Sequence, residues 1–246
     1  ERNEIDLVIY YSQVFNAMAL KYWIEYFRSL KGTCAGTLYW KFNDPLADCP
    51  DQWMYPSQMS SIDMYHRTKM TYYYTRRAYE DILAAFIEDL KGNLSVYLIN
   101  ETMQPVSGTL SVSRRSFDGS ILASRKTMAE APADCAVQTL ILGEEILACE
   151  DCFQEYLKVE WTTDRGIFEN RYFFADLNEI HRLKLPAGKV KAAVKAEGKK
   201  WTVRFEAETY LRNLTIRIPD EKAEFEDNQF DMEPGSRRAV NVELDT

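Results

Sequence analysis

Residues 7–30 carry apolar side chains at helical spacing, with Tyr11, Phe15, Met18 and Tyr22 in one row and Leu20, Trp23 or Ile24, and Phe27 in a second. A helix apolar over most of its circumference expects neighbours on several sides. Lys31 and Gly32 close it, a cation in the last turn and a glycine free to turn left-handed. GTLYWKF, residues 36–42, alternates, and predicts a strand with Leu38, Trp40 and Phe42 on one face and Thr37, Tyr39 and Lys41 on the other. A loop rich in Pro, Asp and Cys follows. Ser60, Ser61 and Asp63 then offer caps for a second helix over 67–86, whose Met70, Tyr73, Tyr74 and Arg77 share a face. Helix, strand, loop, helix is the rhythm of an α/β barrel repeat.

Beyond residue 88 the period changes to two. Segments 94–100, 108–115, 135–142, 156–163 and 171–177 read as short strands, and Asp118-Gly119 is a hairpin signal between two of them. Their spacing suits an antiparallel sandwich. After Pro186-Ala-Gly188 a second β segment covers 190–198, 200–209, 211–219 and 237–244, enough for a small immunoglobulin-like unit resting on its neighbour. The predicted fold is therefore multidomain and mainly β. A helix-strand-helix unit fills residues 1–87, a β-sandwich 88–188, and a small immunoglobulin-like β domain 189–246.

Composition narrows the partners. The 246 residues carry a formal charge of −8, which offers no broad positive field for a nucleic acid. No apolar run reaches the roughly 20 residues that span a bilayer, and the opening ERNEID is no signal peptide. The chain opens in mid-pattern, so a targeting segment ahead of it stays open. Five cysteines, at 34, 49, 135, 149 and 152, are too few for a disulfide scaffold and favour a reducing compartment. Cys149-Glu-Asp-Cys152 has half-site spacing, but no second pair or nearby histidine completes a zinc set. Neither a cofactor nor a metal is expected. Asn93, Asn100 and Asn213 head sequons that would matter only on a secretory route.

Several stretches, in order, carry a family resemblance: SQVFNAMALKYWIEYFR, GTLYWKFND, SSIDMYHRTKM, RRAYEDIL, LSVYLIN and FEDNQFDMEPGSRRAV. Together they resemble the C-terminal part of a β-mannosidase of glycoside hydrolase family 2. The likeness is most specific over 12–80 and 225–240. It implies that the chain starts at the seventh helix of a catalytic (β/α)8 barrel, keeps the eighth strand and helix, and continues into the C-terminal immunoglobulin-like β-sandwich domains.

The resemblance implies that Trp40 ends the eighth barrel strand and lines the pocket for a terminal sugar; a ring filling the top layer of the barrel is the alternative. It implies a cis peptide after that tryptophan, at Trp40–Lys41. Asn43 and Asp44 match a polar pair that either hydrogen-bonds loops around the pocket or only caps the turn. Lys41 stands where glutamine is common, His66 where glycine is common, and the longer loop brings Trp53 and Tyr55 to the rim. The substrate-binding residues that the resemblance implies are Trp40, Asn43 and Asp44, with Lys41 and Trp53 behind them.

Family members use two glutamates on barrel strands upstream of this chain, and a retaining glycosidase needs two carboxyl groups about 5–5.5 Å apart. The acids present here, Glu144-Glu145, Glu150-Asp151 and Glu224-Glu226-Asp227, read as solvated charge, and His66 and His181 as packing or surface residues. The chain alone is expected to be inactive. Its implied partner is a β-linked oligosaccharide or glycoside bound by the parent enzyme, with mannose leading and galactoside, glucuronide and glucosaminide relatives open. A competing reading is a carbohydrate-binding or scaffold module using Tyr97, Trp161, Tyr172, Phe173 and Trp201 as exposed platforms. The unpaired barrel remnant is expected either to dock on the sandwich or to form a homo-oligomer. A bacterial cytoplasm is the expected compartment, with secretion or a lysosome as alternatives for the parent.

Overall fold

The structure is a computed structural model that describes residues 4–44, 60–218 and 222–245. Two antiparallel sheets form the first sandwich. Its strands are β1 (Ile82–Glu88), β2 (Leu94–Asn100), β3 (Val106–Ser116), β4 (Ile121–Ala131), β5 (Cys135–Ile141), β6 (Glu155–Thr163) and β7 (Gly166–Phe173). One sheet has the order β1-β2-β5 and the other β4-β3-β6-β7. Their inner faces bury Ala84, Phe86, Val96 and Leu98 against Leu110, Val112, Val159 and Trp161. The β3–β6 pair admits only glycine at 108, because a Cβ there would lie 2.1 Å from the Thr162 carbonyl oxygen.

The first helix, α1 (Glu4–Ser29), forms as its periodicity predicts and ends at Gly32, whose φ of 93° is left-handed. The second helix, α2 (Met70–Ala78), is shorter than predicted, since residues 82–88 are β1 rather than helix. The reason lies in burial on both sides. Ala84 and Phe86 face the sandwich core, while Leu83, Ala85 and Ile87 pack with Ile99 beneath Tyr26 of α1. A strand covered on both faces loses the alternation that would distinguish it from a helix. Strand β4 escaped notice for the opposite reason. It is an edge strand that is buried only at Ala129 and Ala131, so its sequence shows no alternating apolar row.

The predicted strand over 36–42 is not paired. Residues 35–42 form no ladder, because no described strand pairs with them. Nor do Ser60, Ser61 or Asp63 cap α2, whose N-terminal flank is Lys69 with no side-chain cap.

The second sandwich contains β8 (Val190–Glu197), β9 (Lys200–Ala207), β10 (Leu211–Leu214), β11 (Lys222–Phe225), β12 (Phe230–Met232) and β13 (Arg237–Asp245). The sheets run β11-β13-β9-β8 and β10-β12, around Val203, Phe205, Phe230, Met232, Val240 and Val242. Strand β8 is an edge exposed along its whole length, and Lys191 and Lys195 on it discourage further strand addition.

Helices and sandwiches meet at one junction. Phe117, in the β3–β4 turn, stacks on Tyr156 at 5.2 Å between ring centres and leans on Tyr210 of the second sandwich at 4.9 Å. Phe173 joins the same cluster, and Val14, Ala17, Met18 and Met70 bring α1 and α2 onto it. Beside the rings, Glu233 of the second sandwich takes Arg115 and Lys158 at 3.0 Å each and Arg171 at 3.1 Å. Glu160 and Glu169 complete an alternating cluster of three cations and three carboxylates.

Removing one carboxylate from such a half-buried set leaves cations unbalanced, so Glu233→Ala should lower unfolding stability by about 3–5 kcal/mol in urea denaturation. The acid limb follows from Glu169. Burial works against its charge, but Arg171 and Lys158 override that and hold the carboxyl down at about 2, against an ordinary 4.5. A folded-state pKa below the unfolded one adds stability above the unfolded value, and this is lost as pH falls through the folded value. Thermal midpoints measured between pH 5 and 2 should therefore fall, and Glu169→Gln should flatten that decline.

Candidate functional site

The polypeptide from Thr37 to Asp44 is held from one side only. Thr37 Oγ1 and Tyr79 OH share a hydrogen bond of 2.6 Å, and Tyr39 OH and Ser61 Oγ one of 2.9 Å. The Phe42 carbonyl accepts the Ser61 and Ile62 amides, and the Asp44 amide donates to the Ile62 carbonyl. Asp44 is buried, its carboxylate receiving Ser60 Oγ at 2.5 Å and the Lys69 ammonium. Residues 60–62 and Lys69 thus splint the segment to the start of α2.

The opposite face is bare. Leu38, Trp40 and Phe42, the face that alternation predicts, are 103%, 83% and 55% exposed. Half of α1 is bare as well, with Val8, Phe15, Trp23 and Phe27 open to solvent, whereas Val14, Met18, Ile24 and Arg28 are buried. Between the two lies Arg28, which donates to the Ala78 and Glu80 carbonyls and to Glu101, closing the base of this unit. The Trp40–Lys41 peptide is cis, as the family resemblance implies.

Asn43 is exposed, and its amide donates only weakly, at 3.3 Å, to the Asp44 carbonyl. Lys41 is half-buried, and Trp53 lies outside the described residues. A shallow depression runs between residues 42–44 and 62–66. Its two carboxylates are both engaged: Asp44 as above, and Asp63 by Arg67 Nε at 2.6 Å and by the Tyr65 and Arg67 amides. Partial burial would raise the Asp63 carboxyl, but Arg67 and those amides hold it below its ordinary value. Neither is placed as a free acid or base.

Other candidate chemistry resolves into structure. Among the described residues no group of His, Cys, Asp and Glu is arranged to hold a metal ion. Burial, then Glu155, pushes the Cys149 thiol up to about 11, away from the thiolate that redox or zinc chemistry requires. Asn100 is fully buried and donates to three backbone carbonyls, and buried Asn213 donates to Tyr10, so neither is placed to accept a glycan. The aromatic platforms of the binding-module reading are packing residues. Trp161 and Phe173 are buried, Tyr172 packs on Phe86, and Tyr97 and Trp201 lie against core clusters.

Glu144 and Glu145 are exposed as expected, but Asp227 is not the solvated charge its cluster suggested; it is clamped between Arg77 and Arg238. It forms one wall of a cleft of about 470 Å³ where α1, α2, β7 and residues 227–231 meet. Sequence reasoning missed this role because the arginine partners come from other elements.

Residues 92–178 match the mannosidase Ig/CBM-like domain family, and residues 185–246 match the Ig-fold domain of mannosidase type. The two sandwiches belong to these mannosidase domain families. Among solved structures, β-D-mannosidase from Dictyoglomus thermophilum is 28% identical with a TM-score of 0.74, over 92% of this chain and 26% of that one. The exo-chitosanase CsxA from Amycolatopsis orientalis is 18% identical with a TM-score of 0.69, over 94% of this chain and 31% of that one, a likeness of fold. The comparison with curated proteins gives no match. The chain spans about a quarter to a third of the length of these structures, as the C-terminal part of a family 2 glycoside hydrolase would. No helix among the described residues is long and apolar enough to cross a membrane.

His66 tests how closely the mannosidase-type frame is kept. Its φ is 64°, a left-handed conformation that costs a side chain, at the position where the resemblance implies glycine. His66→Gly should raise stability by about 0.5–1 kcal/mol in denaturant titrations, whereas His66→Val should lower it.

Proposed function

We propose that the chain is the C-terminal part of a retaining exo-glycosidase that removes a terminal β-linked sugar, with mannose the first candidate. In this reading α1, the segment around Trp40 and α2 are the last part of the catalytic (β/α)8 barrel. The observation that carries it is the 28% identity to the Dictyoglomus β-D-mannosidase along 92% of the chain. The uncovered row Leu38, Trp40 and Phe42, and the uncovered side of α1, agree with it, because a barrel would supply the neighbouring strands and helices that both faces call for.

Trp40 then offers an indole face to pyranose C–H groups, and Asn43, three residues on, is the candidate to hydrogen-bond hydroxyls. Asp44 and Lys69 shape the loop rather than touch the sugar. Both catalytic glutamates lie upstream in this reading, so the chain by itself hydrolyses nothing. The platform aromatics of a stand-alone binding module are packed away, which leaves the enzyme reading the better supported.

The test is hydrolysis of a panel of nitrophenyl β-glycosides by this chain and by the same chain joined to the upstream barrel. Activity on the β-mannoside in the joined protein alone is the expected result. Hydrolysis of the β-galactoside, β-glucuronide or β-glucosaminide instead would reassign the sugar, and silence of a well-folded joined protein on all of them would overturn the reading. Trp40→Ala in that protein should lower kcat/KM by roughly tenfold or more.

A further inference from the structure

We propose that Asp227, in the second sandwich, is a positioning residue for the Trp40 segment and acts through Arg77 and α2. The inference rests on the reading of Trp40 as a sugar platform, and it assigns the terminal immunoglobulin-like domain a part in that site.

The Trp40 segment is fastened at both ends of α2. Lys69, just before the helix, holds Asp44 and Ser60 with its ammonium and Ser61 with its amide; Tyr79, just after it, holds Thr37. A shift of α2 therefore moves the segment through these bonds.

The second sandwich sets where α2 sits. Arg77 Nη1 donates to Asp227 Oδ1 at 2.7 Å and to the Asn228 carbonyl at 3.2 Å, while Nη2 donates to the Gln229 carbonyl at 3.0 Å. Arg76 reaches the Glu226 carbonyl, and Tyr74 donates to Asn213. The receiving loop is itself rigid. Asn228 pairs in both directions with the Ile216 backbone, and Gln229 is held at a φ of 53°.

Asp227 decides this contact because it separates two cations. Its other oxygen takes Arg238, so without the carboxylate Arg77 and Arg238 face each other across the vacated place. Repulsion then acts on α2 two residues before Tyr79 and its bond to Thr37. Loss of the charge changes the pose of the Trp40 ring without touching the sugar.

The experiment uses the joined protein and a double-mutant cycle. Asp227→Asn should raise KM for the nitrophenyl β-glycoside roughly tenfold with little change in kcat, at a temperature well below its melting midpoint. The double variant with Trp40→Ala should be no worse than Trp40→Ala alone, since both act at one ring. Arg77→Lys, which keeps the charge and loses the fork, should repeat the effect if Asp227→Asn folds poorly. A lowered melting midpoint with KM unchanged, or effects that simply add, would reduce Asp227 to a purely structural residue and overturn the inference. An unchanged kcat/KM in Trp40→Ala would instead overturn the platform reading beneath it.

Discussion

Both helices and both sandwiches meet at one buried aromatic junction. Phe117 reaches out of a hairpin turn, stacks on Tyr156 and touches Tyr210, while Val14, Met18 and Met70 bring both helices against the same rings. Burial of such large side chains supplies a strong attraction without direction. The direction comes from the charges alongside, where Glu233 answers Arg115, Lys158 and Arg171 from three neighbouring strands. Rings supply most of the attraction, and the ion cluster selects one orientation of the second sandwich.

The same division recurs at α2. Met70 and Tyr73 bury its apolar side, whereas Arg76 and Arg77 fix its end on the 226–229 loop. A helix of nine residues has little stability alone, so its place is decided by what it is bolted to. The mannosidase-type immunoglobulin-like domain thereby reaches the Trp40 segment without contacting it. This frame also explains why a unit with one bare apolar face keeps its shape: hydrogen bonds and ion pairs tie the Trp40 segment to 60–62 and α2, and Arg28 closes its base.

Much of this was legible in the residues. Strand β2 lies where LSVYLIN alternates, and Asp118-Gly119 turns β3 into β4. The exposed row Leu38, Trp40 and Phe42 is the face that period two predicts, although it lacks a ladder. What failed did so for physical cause. Strand β1 is apolar on both faces and so reads as part of a helix, and β4 is an edge with little to bury. Asp227 reads as one more surface acid because nothing nearby in sequence announces Arg77 or Arg238.

The sequence by itself determined most element types, the two-sandwich plan, and the mannosidase-type resemblance with its tryptophan at the end of an alternating run. Only the tertiary structure decided which acids are clamps, that the Asn100 and Asn213 sequons are structural, and that α1 docks on the sandwich through half of its apolar surface. Periodicity records how much of a segment is covered; partners across long sequence separations are set by packing, and a single sequence carries no local signal of them.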